Sequence, residues 1–331
     1  MIMTSVLFAA GRVSVVQKNL LSSDKLNRLA QSADLDEAVK ILSEYGYGGG
    51  IQLSSPFAYE EMLCAEENAL CAFMSEILPE NSGFELFFAE YDFHNAKVIA
   101  KERFLSSDRV TEALSEHGLI PVSTLSTKLS TGEYDGLYNE MKDAFLGFER
   151  KNEAGKLLSS VIDVDLDRAF FRYAFRMLKK YHDRVLTPIY VNRVDGMNIG
   201  TFLRSLRVGL DVEALKARLI GGGKIAEETF VKYYDRDLSE FRRVLIGTIW
   251  DKLLTEYMES ENGVIWLEAA TENVLLAALA ERRYEMENVG SIAFYYRSKM
   301  TEIKNLRIIL TGKKNKVDNK AILSRLRKTY A

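Results

Sequence analysis

A similar order of landmarks returns three times along this chain of 331 residues, at a spacing of about 100. The apolar pair Leu20-Leu21 comes back as Leu119-Ile120 and again as Leu219-Ile220, displaced by 99 and then by 100 residues. A glycine that reads as a helix stop follows each pair, as Gly46, Gly147 and Gly247. An acidic residue three positions ahead of an asparagine also recurs, as Asp92/Asn95, Asp195/Asn198 and Glu302/Asn305. Self-similarity at a fixed period marks a fold assembled from copies of one supersecondary unit. The period exceeds those of the short helical repeats, so each copy reads as a small helical domain. Approximate, interleaved boundaries follow: 1–115, 116–215, and 216–331 with a basic C-terminal segment.

Composition points to an all-α class. The chain is rich in Leu, Ala, Glu, Lys and Arg, which lose least on entering a helix, and it holds only four prolines, at 56, 79, 121 and 188. No polar or Gly/Ser-rich linker separates domains, so the units are expected to pack continuously. The longest apolar run, Val274 to Ala280, falls far short of the roughly 20 residues that span a bilayer. With no N-terminal targeting segment either, a soluble, cytoplasmic protein is expected. Cys64 and Cys71 form no disulfide framework and imply a reducing compartment.

Local patterns are legible in several places. Asp34-Leu-Asp-Glu37 has the form of a capping box, and Leu35, Ala38, Val39 and Leu42 follow at helical spacing before Gly46. A helix is predicted from about Ala58 to Leu78, with Leu63, Leu70, Cys71 and Met74 on one stripe and Pro79 closing it. Leu166, Phe170, Tyr173, Met177 and Tyr181 mark a wide buried face, and the helix predicted over 264–284 is apolar all round, as for a helix enclosed by others. The best β-like run, Pro188 to Val191, stands isolated.

Each acid/asparagine motif is expected at a helix entrance, where the Asp caps free N–H groups and the Asn reaches back; Glu302 is expected already inside its helix. The three asparagine sites read either as partner-binding spots or, with their acids, as polar pins that fix the angle between helices. Recurrence in every unit favours pins. The corner Leu219-Ile-Gly-Gly-Gly-Lys224 lacks phosphate-loop spacing and has Ile225 where a hydroxyl is needed, so its glycines read as a tight turn. Histidines at 94, 117 and 182 show no metal-ligand spacing. Asp163, Asp165 and Asp167 read as capping and dipole complements at a helix start. No catalytic residue, cofactor or metal is expected.

Charge is unevenly placed. Residues 297–331 hold eleven Lys/Arg against Glu302 and Asp318, a net +9, which leaves −12 for the rest of a chain whose total is −3. Such asymmetry suggests an anionic neighbour. Nucleic acid would use Lys313, Lys314, Lys316, Arg325, Arg327 and Lys328, but overall acidity opposes it. A membrane-facing or acidic-protein contact fits better, with Lys313, Lys314 and Lys316 as the partner-contact candidates.

Leu20-Leu-Ser-Ser-Asp-Lys-Leu26, Leu35 to Gly48, Tyr91-Asp-Phe-His-Asn-Ala-Lys97 and above all Glu302-Ile-Lys-Asn-Leu-Arg-Ile-Ile-Leu-Thr-Gly-Lys313 resemble the C subunit of the V-type and A-type ATPases, the counterpart of the eukaryotic d subunit. The resemblance spans the whole chain. It implies three similar helical domains arranged as a pseudo-threefold funnel. It also implies a noncatalytic coupling role, with one copy per complex and a monomer when isolated. Such a protein would receive the central rotor stalk, sit on the cytoplasmic face of the membrane proteolipid ring, and transmit torque for ion transport. A helical-repeat adaptor unrelated to any rotor, or an all-α enzyme using the 163–167 carboxylates, are the competing readings.

Overall fold

The computed structural model describes residues 5–78, 82–106, 114–259 and 263–330, and every regular element among them is helical. In chain order these are α1 (Val6–Val16), α2 (Ser23–Ala30), α3 (Leu35–Glu44), α4 (Tyr59–Ile77), α5 (Glu85–Leu105), α6 (Val122–Thr131), α7 (Asn139–Glu153) and α8 (Ser159–Tyr181). There follow α9 (Leu186–Val208), α10 (Val212–Lys216), α11 (Glu227–Tyr233), α12 (Leu238–Leu245), α13 (Asp251–Glu259), α14 (Gly263–Ala280), α15 (Gly290–Lys314) and α16 (Asn319–Leu323). Pro79, expected to close α4, lies outside the described residues.

By internal contacts the chain forms two compact units, one comprising Met1–Glu80 with Phe241–Ala331 and the other Asn81–Glu240. In the first unit α15 is the organising element. Its Ile303, Leu306, Ile309 and Leu310 share one apolar core with Leu26 and Leu29 of α2, Leu35 and Leu42 of α3, Met62 and Leu63 of α4, and Ile322 of α16. The cap at Asp34 forms as read, with its side chain accepting the Glu37 N–H at 2.9 Å, but the return bond of the box goes one residue further back, Glu37 accepting the Ala33 N–H at 2.6 Å. Gly46 adopts a left-handed φ of +74°, which costs a glycine little and turns the chain out of α3.

The Thr311-Gly-Lys313 run does three packing jobs at the end of α15. Thr311 pairs its hydroxyl with that of Tyr59 at 3.0 Å. Gly312 leaves room for the Ile322 side chain, which would crowd any Cβ there. Lys313 runs inward to the Ser32 carbonyl. The helix then closes with Lys316 in the left-handed region at φ +53°, its N–H donating to the Lys313 carbonyl and the Val317 N–H to that of Gly312. This is the six-to-one and five-to-two bonding of a Schellman end.

The second unit is built around aromatic contacts among α5, α8 and α9. Phe93 stacks on Tyr138 at 5.4 Å, Tyr138 packs on Tyr173 at 4.5 Å, and Phe170 meets Tyr190 at 6.0 Å. The Arg193 guanidinium lies over the Tyr190 ring at 5.0 Å while bonding Glu90.

Several sequence expectations change here. The isolated β-like run Pro188 to Val191 is helical, in keeping with the all-α expectation: Pro188 stands in the first turn of α9, where its missing N–H removes no helical bond. Gly147 lies inside α7 and stops nothing; the positive φ after that helix belongs to Gly155. Leu119 is 46% exposed, whereas Leu20, Leu21, Leu219 and Ile220 are buried. Around the middle of α14, Val274, Leu275, Ala277 and Ala278 are only partly buried, so that helix is not fully enclosed.

Candidate functional site in three buried clamps and a basic segment

Residues three apart on a helix share a face, so each acid/asparagine pair points to one place. The six side chains of Asp92, Asn95, Asp195, Asn198, Glu302 and Asn305 are at most 2% exposed. None caps a helix. Asp92 and Asn95 lie within α5, Asp195 and Asn198 within α9, Glu302 and Asn305 within α15. The capping reading of the two Asp motifs fails because an acid and an amide at this spacing mark a helix start or a helix face equally well. What they do instead is bind distant backbone.

Each asparagine grips one residue by both its backbone N–H and its backbone carbonyl. Asn95 accepts the Ser115 N–H and donates to the Ser115 carbonyl, both at 2.8 Å. Asn198 treats Ile220 the same way, at 2.9 and 2.7 Å, and Asn305 treats Arg327 the same way, at 2.8 and 2.9 Å. The gripped residue follows its asparagine by 20, 22 and 22 positions. The job needs a side chain carrying both donor and acceptor, which excludes Asp, and one short enough to hold its geometry at mid-helix.

The acids bind the adjoining corners. Asp92 accepts the N–H groups of Leu119 and Ile120, each at 3.1 Å, and the Tyr138 hydroxyl at 2.6 Å. Asp195 accepts the Ile225 N–H at 2.9 Å. Glu302 accepts the Leu21 N–H, the Tyr47 hydroxyl at 3.0 Å and the Lys299 ammonium at 2.7 Å. Glycine makes the short acids fit: a Cβ on Gly118 would overlap the Asp92 carboxylate, and one on Gly223 would overlap that of Asp195. The third corner, Asn19-Leu20-Leu21, has no glycine, and there the longer Glu spans the gap. At the end of the Gly221 to Lys224 corner the Lys224 and Ile225 N–H groups thus point toward an internal carboxylate.

Electrostatics follow from this burial. Removal from water raises the Asp92 carboxyl above its ordinary range, although the Tyr138, Ile120 and Leu119 donors pull it back. Asp195 is raised for the same reason, against the Ile225 and Lys224 N–H groups. The phenols of Tyr138 and Tyr47 are pushed far up, by burial first and then by Asp92 and Glu302 respectively.

The carboxylates of α8 are committed to ion pairs between helices, which corrects their reading as caps. Asp163 pairs with Lys101 at 2.7 Å, Asp165 with Lys151 at 2.5 Å, and Asp167 with Lys97 at 2.6 Å. No group of three or more His, Cys, Asp or Glu among the described residues is arranged to hold a metal.

Among the described residues the basic segment divides into a paired set and an unpaired outer set. Lys299 bonds Glu66 and Glu302, Lys304 and Arg327 bond Glu272, and Arg307 bonds Glu60. Lys313 is 7% exposed and bonds Ser32 and Asn319, so it is a packing residue and not a surface contact. Lys314, Lys316, Lys320, Arg325 and Lys328 remain exposed. Pattern reading missed Lys320 as a member of this outer set, because charge counting alone does not separate paired from solvated lysines.

Comparison with known proteins agrees across nearly the whole chain. The sequence profile of the ATP synthase (C/AC39) subunit family matches residues 9–325. The C subunit of the V-type sodium ATPase of Enterococcus hirae is 22% identical over 312 residues, covering 94% of both chains. The C subunit of the A-type ATP synthase of Thermococcus gammatolerans is 27% identical over 89% of this chain and 82% of its own. That of a Desulfurococcus species is 25% identical over 94% and 87%.

Proposed function

The chain belongs to the ATP synthase (C/AC39) subunit family, and from that membership we propose that it couples the central rotor stalk to the membrane proteolipid ring of a V/A-type ATPase. It is a structural part of such a complex and not its catalytic part. The observation that carries the reading is the match over residues 9–325, supported by relatives of similar length named as C subunits.

The clamps suit a part that carries load. A helix pinned by hydrogen bonds to backbone on a neighbouring corner resists sliding, since displacement would leave buried donors and acceptors unsatisfied. We take the three clamps as the marks of three related helical domains arranged as a pseudo-threefold funnel, one mouth open to the stalk and the base on the ring. The protein would lie peripherally at the cytoplasmic face, one copy per complex; no helix among the described residues is long and apolar enough to cross a membrane. Lys314 and Lys316, with Lys320, Arg325 and Lys328, are the contact candidates toward an anionic partner.

Affinity isolation of the tagged chain from solubilised membranes tests the assignment. Stalk and ring proteins should co-isolate in fixed ratio. Recovery of an unrelated complex without them would replace this reading with the helical adaptor.

A further inference from the structure

A cavity of about 640 Å³ opens in the first unit where α1 and the chain end approach the start of α15, a volume within the range of small-molecule sites. Its apolar wall includes Ala10, Val13, Met286 and Tyr330, and the cations Lys18 and Arg283 also line it. Neither cation forms an ion pair among the described residues. Ser291, another lining residue, is 3% exposed, and its hydroxyl finds no partner within the protein.

Ser291 is the second residue of α15, a helix of 25 residues whose N-cap residue, Val289, makes no side-chain cap bond and whose first turn holds no acid. The first N–H groups of a helix have no partner inside it, and the aligned peptide dipoles favour negative charge at that end. Asn288 takes one of them, the Gly290 N–H, at 2.8 Å. Glu285, the nearby acid, is engaged by Arg282 and Asn288 and does not line the cavity.

We propose that this cavity binds an anionic amphiphile: a phosphate or carboxylate head held by Ser291, the α15 start, Arg283 and Lys18, with its apolar chain against Met286 and Tyr330. A bare anion would leave Met286 and Tyr330 uncovered, and a neutral chain would leave the buried Ser291 hydroxyl without a counterpart, while the Arg283 guanidinium lies over the Tyr284 ring at 4.7 Å and Lys18 is exposed. Nothing in this site depends on the coupling role proposed above.

Calorimetric titration of the purified full-length protein tests it, using octyl, nonyl and decyl phosphate below their micelle concentrations, decyl maltoside and inorganic phosphate. The alkyl phosphates should bind one to one, tightening up to about fourfold for each methylene buried. Inorganic phosphate and decyl maltoside should each bind at least about tenfold more weakly than decyl phosphate. Ser291→Ala and Arg283→Glu should both weaken decyl phosphate, while circular dichroism shows unchanged helicity. Because Arg283 is only part-buried, its variant reports on binding even where the Ser291 change disturbs folding. Binding of inorganic phosphate equal to that of decyl phosphate, equal binding of the maltoside, absence of saturable binding, or indifference to Arg283→Glu would each overturn the proposal.

Discussion

Glu302 accepts the backbone N–H of Leu21, 281 positions earlier in the chain. The first of the recurring apolar pairs is therefore gripped by the last of the recurring acids, just as Leu119-Ile120 is gripped by Asp92. Glu302→Asp shortens the reach where no glycine lets the corner come closer. We expect a loss of about 1.5–3 kcal/mol, the range for a hydrogen bond to a charged group, with Glu302→Gln milder because it keeps an acceptor of the same length. Urea unfolding of the two variants checks this, and equal stability of Asp and Gln would show that reach is not what the third clamp requires.

Gly118→Ala should cost about 1–3 kcal/mol, as overpacking does in a filled interior, because the new methyl overlaps the Asp92 carboxylate. Adding Asp92→Ala to Gly118→Ala should cost less than the sum of the single changes, since the collision is removed with the acid. A double-mutant cycle from chemical unfolding measures the difference. Strict additivity would mean the glycine serves some purpose other than admitting the carboxylate.

The buried acids also set a pH dependence. Asp92 and Asp195 are raised above their ordinary value of 3.8, so the folded state favours their protonated forms. Their contribution is present in full below that value and is lost as pH rises through the raised values. Asp92→Asn removes one such titration while leaving the rest of the protein in common. The stability of the native protein relative to this variant should therefore fall between pH 4 and 7. A relative stability that is flat or rising over that interval, by urea denaturation, contradicts the direction assigned.

Much of this architecture is legible in the residues, and the misreadings share a cause. Capping at Asp34 and Glu37, the α4 stripe and the recurrence of the acid/asparagine pairs follow from local spacing, which the fold preserves. The sequence does not say whether Asp92 and Asn95 open a helix or ride on its face, because three-residue spacing serves both. It does not say which lysines meet an acid, since Glu272, partner to Lys304 and Arg327, lies 32 and 55 positions away from them. Pro188 leaves a faint β signal because a first-turn proline and a β-edge proline look alike without the helix that follows. Gly147 shows the converse: a glycine at a recurring position need not stop anything.

Reversal of Lys314, Lys320 and Arg325 to Glu should weaken assembly with the remaining ATPase while leaving helicity intact, and the defect should shrink with salt, since exposed charges are screened over about 10 Å at 0.1 M. Binding that is unchanged at low and moderate salt would return these residues to an ordinary solvated surface.

Coupling itself is tested most directly in vesicles carrying the ATPase stripped of this protein. ATP hydrolysis by the catalytic head should persist while ATP-driven ion uptake stops, and uptake should return when the purified protein is added back. Ion uptake that continues at full rate without it would contradict a coupling role.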